Sequence, residues 1–495
     1  MYPQLALCGS LFFREGRRMI PQFRIGHAQK CTSSTLAVLF ALSLWGASSE
    51  MNSVQGSDWD RFRGPNGTGI SPDTDPLPAT FSETENLQWK VALPGAGVSC
   101  PIVVGDKVFV TCYSGYGLDR QNPGEIESLK RHLVCIDRAS GKTLWEKTVD
   151  AVQPEDRFSG AGVPEHGYAS HTPTSDGTNV YVFFGKSGVF AYDLDGKELW
   201  HTNVGKESDD RQWGSSSSPI LTGNVIVVAA GPEARAIVGL DKTTGKELWR
   251  ADSDGLGNVW GTPVLAKIDE ERTDVVIGAP NEIWGLNPAT GKLKWYCEAM
   301  ATDQFNSSVV VSDGKIFAVE GRGGGSITIK TGGKGDITGS SVVWSGRDSN
   351  RFSTPLIYEG RMYLISGGVA RCVNAANDEQ IFETRLQSGG AAAGNESPAR
   401  EPGGGQPGGR GGRGGFGGGG GRGGDYSSPV MGDGKIYYVS RGGDIHVIKA
   451  TDKFEQLATN RLTSETEDFS ATPAISSGQI FVRSNKHLYC VSLNK

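Results

Sequence analysis

Residues 239–250 read GLDKTTGKELWR, and the phrase returns as CIDRASGKTLWEK from Cys135, AYDLDGKELWH from Ala191 and GLNPATGKLKWY from Gly285. Each copy sets an Asp or Asn ahead of a tight Gly-Lys turn, with a Trp four residues past the Gly. Such an Asp caps the turn through its side chain, and the Gly supplies the positive φ that a hairpin needs. Recurrence of one supersecondary phrase describes a repeat architecture, so function must be sought in what interrupts it.

A second phrase sets the count. A small polar residue followed by Pro precedes an apolar run at Pro101, Pro173, Pro219, Pro263, Pro355, Pro429 and Pro473, and Ser308-Val309 fills the missing slot. The spacings are 72, 46, 44, 46, 46, 74 and 44 residues, which gives eight units of about 45 with two long insertions. After each anchor comes a turn and a segment rich in Val, Ile, Tyr and Phe, such as DKVFVTC, GNVIVVAAG and GKIYYVSRGG. These alternate as strands do. A third strand precedes the Asp and the Trp phrase supplies a fourth. The fold class expected is therefore all-β, an eight-bladed β-propeller of four-stranded antiparallel blades. The eighth unit lacks its Trp strand, while an orphan one, ENLQWKVAL (85–93), precedes the first unit. The N-terminal strand is expected to complete the last blade, leaving no open edge.

Trp89, Trp145, Trp200, Trp249, Trp295 and Trp344 then lie on outer strands, where each buries about 150–250 Å² between blades. Phe382 and Leu457 stand in for Trp in blades six and seven. Two residues before the Asp position the blades carry Cys135, Ala191, Gly239, Gly285, Cys372 and Cys490. That is a small-residue slot, expected where blades approach closely. Cys100 and Cys112 flank one hairpin nearly opposite each other, so a cross-strand disulfide is feasible.

The Asp-x-x-Thr-Gly-Lys-x-Leu-Trp phrase in an eight-unit ring resembles the pyrroloquinoline quinone (PQQ) repeat, and the resemblance spans residues 85–495. It implies one of two functions. One branch, the quinoprotein dehydrogenases, binds PQQ and Ca²⁺ in the central funnel and oxidises alcohols or sugars. The other is non-enzymatic and binds protein partners. The stretch WDRFRGPNGTGIS (59–71) resembles the lead-in of secreted bacterial PQQ-like propellers without established activity. The dehydrogenase branch implies a vicinal disulfide, and this chain has no Cys-Cys pair. Nor do that branch's Asp base and Glu/Asn calcium ligands fall on matching positions here, so no catalytic residue carries over.

Arg14, Arg17, Arg18, Arg24 and Lys30 precede the apolar run LAVLFALSLWGA (36–47). A basic region and a short apolar core read as a signal peptide over residues 1–49, too short to span a bilayer. Met19 offers a second start, and Cys31 lies on the wrong side of the core to be a lipoprotein acceptor. The domain plan is a leader (1–49), a lead-in (50–84) and the propeller (85–495), with location periplasmic or secreted and no membrane span after cleavage. Residues 1–49 hold five Lys or Arg and one Glu, leaving 44 basic and 54 acidic side chains, a net of −10. That argues against a nucleic-acid partner. The six remaining cysteines show no metal-binding spacing.

Three insertions, 113–132, 150–170 and 387–425, fall in links on one face, which marks it as the binding face for a protein partner or small ligand. The residues just before the inner strands ring the funnel mouth. Trp213, Trp260, Asn306, Arg351 and Asp425 are the candidate cofactor-binding set, with His166, His171 and Asp468 beside them. The two histidines lack a third partner, so no metal site is assigned. Segment 388–424 is Gly/Arg-rich and cannot bury enough apolar surface to order itself, so it is expected to be disordered. Replacing it with a short Gly-Ser linker should leave the melting temperature within about 2 °C, because loop entropy varies slowly with length. A larger fall would show that the segment is packed.

Overall fold

The small polar residues that precede each Pro meet around one axis. The backbone N–H of each donates to the side chain of its counterpart in the next blade: Cys100 to Thr172, Thr172 to Ser218, Ser218 to Thr262, and so on through Ser308, Thr354, Ser428 and Thr472. These seven bonds are 2.9–3.1 Å. The eighth closes the circle, from Thr472 N–H to Cys100 Sγ at 3.3 Å. The ring satisfies eight buried amides that face the axis and have no strand partner there.

The computed structural model describes residues 58–494 apart from 161, 322–323, 351 and 389–423. The expected leader and nearly all of the insertion 388–424 lie outside the described residues. Around the axis stand eight antiparallel sheets of four strands, the blades of a propeller. Blade one runs Ile102–Val104, Lys107–Ser114, Lys130–Asp137 and Thr143–Asp150 from the axis outward. Its second and third strands are buried on both faces, whereas its outer strand alternates. Blade eight is completed by Leu87–Ala92, which pairs with His487–Ser492, so the N-terminal strand closes the ring as expected. Blade four gains a fifth strand, Gly335–Asp336, parallel to Leu293–Glu298.

The outer tryptophans bracket neighbouring blades. Nε1 of Trp89, Trp145, Trp200, Trp249 and Trp344 donates at 2.9–3.0 Å to the carbonyl of Arg138, Leu194, Lys242, Pro288 and Ala375, each the residue after the Asp or Asn of the next blade's turn. The turn glycines lie under the indoles. A Cβ on Gly245 (φ 70°) would stand 2.4 Å from Trp200, and one on Gly291 (φ 67°) 2.2 Å from Trp249. Trp295 is the exception, bonding Asp274 at 2.8 Å, because the 330–340 link replaces the turn it would meet.

Four expectations need correction. The small-residue slot answers to the blade's own Trp, since Gly239 and Gly285 lie opposite Trp249 and Trp295 and an added Cβ would meet their indoles at 2.1 and 2.0 Å. Every outer strand carries a bulge just before the Trp position, and in blade seven this puts Ala458, not Leu457, opposite Val447. Cys100 and Cys112 are free buried thiols. Ile102 pairs with Phe109, so the register runs Cys112 to Ser99, and a one-residue slip puts the two side chains on opposite faces. The insertion expected at 113–132 is also shorter, because strands extend to Ser114 and begin again at Lys130.

The lead-in is built into the propeller. Trp59 is 1% exposed and bridges Val103, Arg63 donates to Pro355 O at 2.9 Å and Pro429 O at 3.3 Å, and Arg61 donates to Pro263 O at 3.2 Å. Burial pulls Arg63 down to about 9 and Arg61 to about 10. Because these carbonyls follow the hydroxyl ring in the chain, the lead-in plugs the axis on the side away from the insertions.

Thr262→Val keeps the shape of the ring but leaves the Ser218 amide unpaired. It should cost about 1–3 kcal/mol in denaturant unfolding; a loss within error would show that the ring contributes little.

Candidate functional site

Above the plug lies a cavity of about 140 Å³ on the axis. Its floor includes Phe62 of the lead-in, its wall is the Ser/Thr ring, and its mouth is formed by Trp213, Trp260, Asn306, Phe352 and Tyr426. Trp213 and Trp260 come together with ring centroids 5.6 Å apart at 37°. Trp260 Nε1 donates to Gly214 O at 2.7 Å, and the Arg211 guanidinium sits 5.0 Å from the Trp213 ring centre. Across the mouth Phe352 and Tyr426 stack at 4.2 Å.

The other residues singled out from the sequence are held by their surroundings. Asn306 donates through Nδ2 to Glu320 at 3.0 Å and through its backbone N–H to the same carboxylate at 2.8 Å. Asp425 accepts from Tyr438 OH at 2.8 Å, Arg441 N–H at 3.0 Å and Gly367 N–H at 3.1 Å, which anchors the loop. Asp468 accepts from Arg441 Nε at 2.6 Å. Arg351 lies outside the described residues. His166 is held between Ser170 Oγ (2.7 Å) and Trp213 O (2.8 Å), and burial lowers its basicity. His171 reaches Ser215 Oγ at 2.8 Å, and Ser215 in turn donates to Glu233. Burial, with Arg131 and His166 nearby, pulls His171 to about 3, so it is neutral.

The two blade-one insertions form a lid over this mouth. Tyr113, Tyr116 and Tyr168 pack with Leu129 and Val163 as a buried cluster, and Phe158 lies against it. The short helix Val163–His166 crosses above Trp213, with Gly162 so close that a Cβ would meet the indole at 2.4 Å. Glu165 on this helix accepts from Arg120 at 3.2 Å and from Arg441 of blade seven at 2.8 Å. That clasp joins residues far apart in sequence, and nothing in the spacing announces it.

Among the described residues lining the cavity there is no Asp, Glu, Lys or Arg. Cys100 lines it, but burial raises its thiol, so it is a poor nucleophile. No group of three or more His, Cys, Asp or Glu among the described residues is arranged to hold a metal ion. The described lining therefore offers hydroxyls, aromatic faces and the imidazole of His166, whose two nitrogens are engaged by Ser170 and Trp213.

This architecture, with its axial funnel, defines an eight-bladed β-propeller. Residues 129–365 match the family model described as outer membrane protein assembly factor BamB. Among solved structures the chain is similar to BamB from Moraxella catarrhalis (11% identity, 82% of this chain and 97% of that one, TM-score 0.52). It is also similar to a europium-containing methanol dehydrogenase (11% identity, 88% and 98%, TM-score 0.56). A third is a quinohemoprotein alcohol dehydrogenase from Comamonas testosteroni (13% identity, 88% and 80%, TM-score 0.54). At these identities the likeness is one of fold. No curated protein sequence matches.

Glu233 is buried beneath this site, and burial raises it to about 7. Its folded form binds a proton more tightly than the unfolded chain, so its stabilising contribution is full below pH 4.5 and is lost as pH rises to about 7. Glu233→Gln should flatten that part of the stability–pH curve measured by urea unfolding. An unchanged slope would refute the assignment.

Proposed function

We propose that this protein is an exported binding module, not an oxidoreductase, and that it engages a protein partner through the lidded, insertion-rich face. The observation that carries this reading is that the described residues lining the funnel carry no Asp, Glu, Lys or Arg. PQQ is a planar tricarboxylate held beside Ca²⁺, so it calls for cationic contacts and carboxylate ligands. The described lining residues provide neither, and the Asp425 carboxylate already accepts hydrogen bonds from Tyr438 and Arg441. A volume of about 140 Å³ also falls below the range of pockets that enclose a drug-sized ligand, about 300–1,000 Å³. The described lining thus speaks for an uncharged guest rather than for this cofactor.

What does fit is an uncharged side chain of a partner, inserted between the Trp213–Trp260 pair and the Phe352–Tyr426 stack while the rest of the partner lies on the lid. The similarity to an outer membrane assembly factor supports a protein-binding role in the cell envelope. No helix among the described residues is long and apolar enough to cross a membrane.

The test pairs two measurements. Titration of the purified chain with PQQ and Ca²⁺, read by tryptophan fluorescence and dye-linked alcohol oxidation, should give no saturable response. Photo-crosslinking from a position within 115–129 should trap one protein in the native envelope, and Trp260→Ala should weaken that yield about tenfold. Tight PQQ binding that is lost in Trp260→Ala would overturn the proposal.

A further inference from the structure

Blade six departs from its siblings at one turn. In blades one to four the position under the preceding Trp is Gly141, Gly196, Gly245 and Gly291. In blade six it is Asp378, held in the left-handed region at φ 62°. Blade five makes room for the larger residue. Two residues past its Trp, where blade two has Thr202, blade five has Gly346. A Cβ there would stand 2.0 Å from Asp378 Oδ2 and 2.7 Å from Ser326 Oγ, so both oxygens crowd one point in the gap between the blades.

Asp348 faces Asp378 at hydrogen-bonding range, with its side chain 6% exposed. Arg371 is the cation here, 2.8 Å from Asp348 Oδ1 and 2.9 Å from Glu383. One guanidinium thus serves three carboxyl groups. Asp348 Oδ2, Asp378 Oδ1 and the hydroxyl of Ser326, a residue 1% exposed, are buried without a hydrogen-bond partner. Asn350, two residues beyond Asp348 and 3% exposed, likewise leaves its amide unpaired.

We propose that the gap between blades five and six is a Ca²⁺ site, formed by the carboxylates of Asp348 and Asp378 and the hydroxyl of Ser326, with water completing the shell. Two carboxylates, a hydroxyl and water make the hard, irregular donor set that Ca²⁺ accepts, whereas Mg²⁺ demands a tighter octahedron. The cation would neutralise the excess charge and tie the turn of one blade to the link leaving the other. The site lies outside the funnel, and its failure would leave the partner-binding reading untouched.

The full chain is stripped with EDTA and melted with and without 1 mM Ca²⁺ at pH 7. Ca²⁺ should raise the melting temperature by about 2–4 °C. Tb³⁺ luminescence, sensitised by Trp344 beside the turn, should be displaced by Ca²⁺. Ser326→Ala should weaken binding about tenfold. Asp378→Gly restores the glycine of blades one to four, so it should fold, melt no lower than the parent in EDTA, and lose both responses. No Ca²⁺ shift in the parent, a shift retained in Asp378→Gly, or an equal response to Mg²⁺ would each overturn the assignment.

Discussion

An amide that points at the axis of a propeller has no neighbouring strand to bond. In this chain each such amide is satisfied by the side chain of the next blade, in one closed circuit of eight. This requirement explains why Ser or Thr precedes the inner-strand Pro almost everywhere. The acceptor must be short enough to leave the axis open, and it must carry an oxygen. The axial cavity is the space that remains once the ring is made. At the one exception, Cys100, a weaker sulfur acceptor closes the circuit.

At the rim a second device repeats. Each indole reaches across to the next blade's turn, and that turn must present a glycine beneath the ring. Where the pattern lapses, the departures come in matched pairs. The 330–340 link removes a turn and gives blade four an added strand, while Trp295 finds Asp274 instead. Asp378 replaces a turn glycine, and Gly346 appears opposite it. Blade seven has lost its large residue, with Ala458 in the Trp position.

The blade count and the closing strand were legible in the sequence because both follow from periodicity. Registers were less so. Leu457 and the Cys100–Cys112 pair were each misread by one position, since a bulge or a slip of one residue leaves the composition unchanged. At the mouth, Trp213 and Trp260 do converge, as their place before successive inner strands implied. The roles of Asn306 and Asp425 could not be read, because Glu320 and Tyr438 come from other strands. Glu165 and Arg441 are 276 residues apart and leave no local trace. Asp378 did leave one, as the missing glycine in the turn NAAND.

The closing strand also constrains the order of events in the cell. Residues Leu87–Ala92 are made well before their partner, His487–Ser492, with the whole ring between them. A chain that emerges from its N-terminus must carry an unpaired strand and an unpacked Trp89 until His487–Ser492 arrives. Contacts of such sequence separation form slowly, and exposed strand edges invite association with other chains. Vectorial synthesis therefore delivers this propeller as an open arc, whose vulnerability to mispairing lasts until the closing partner strand emerges.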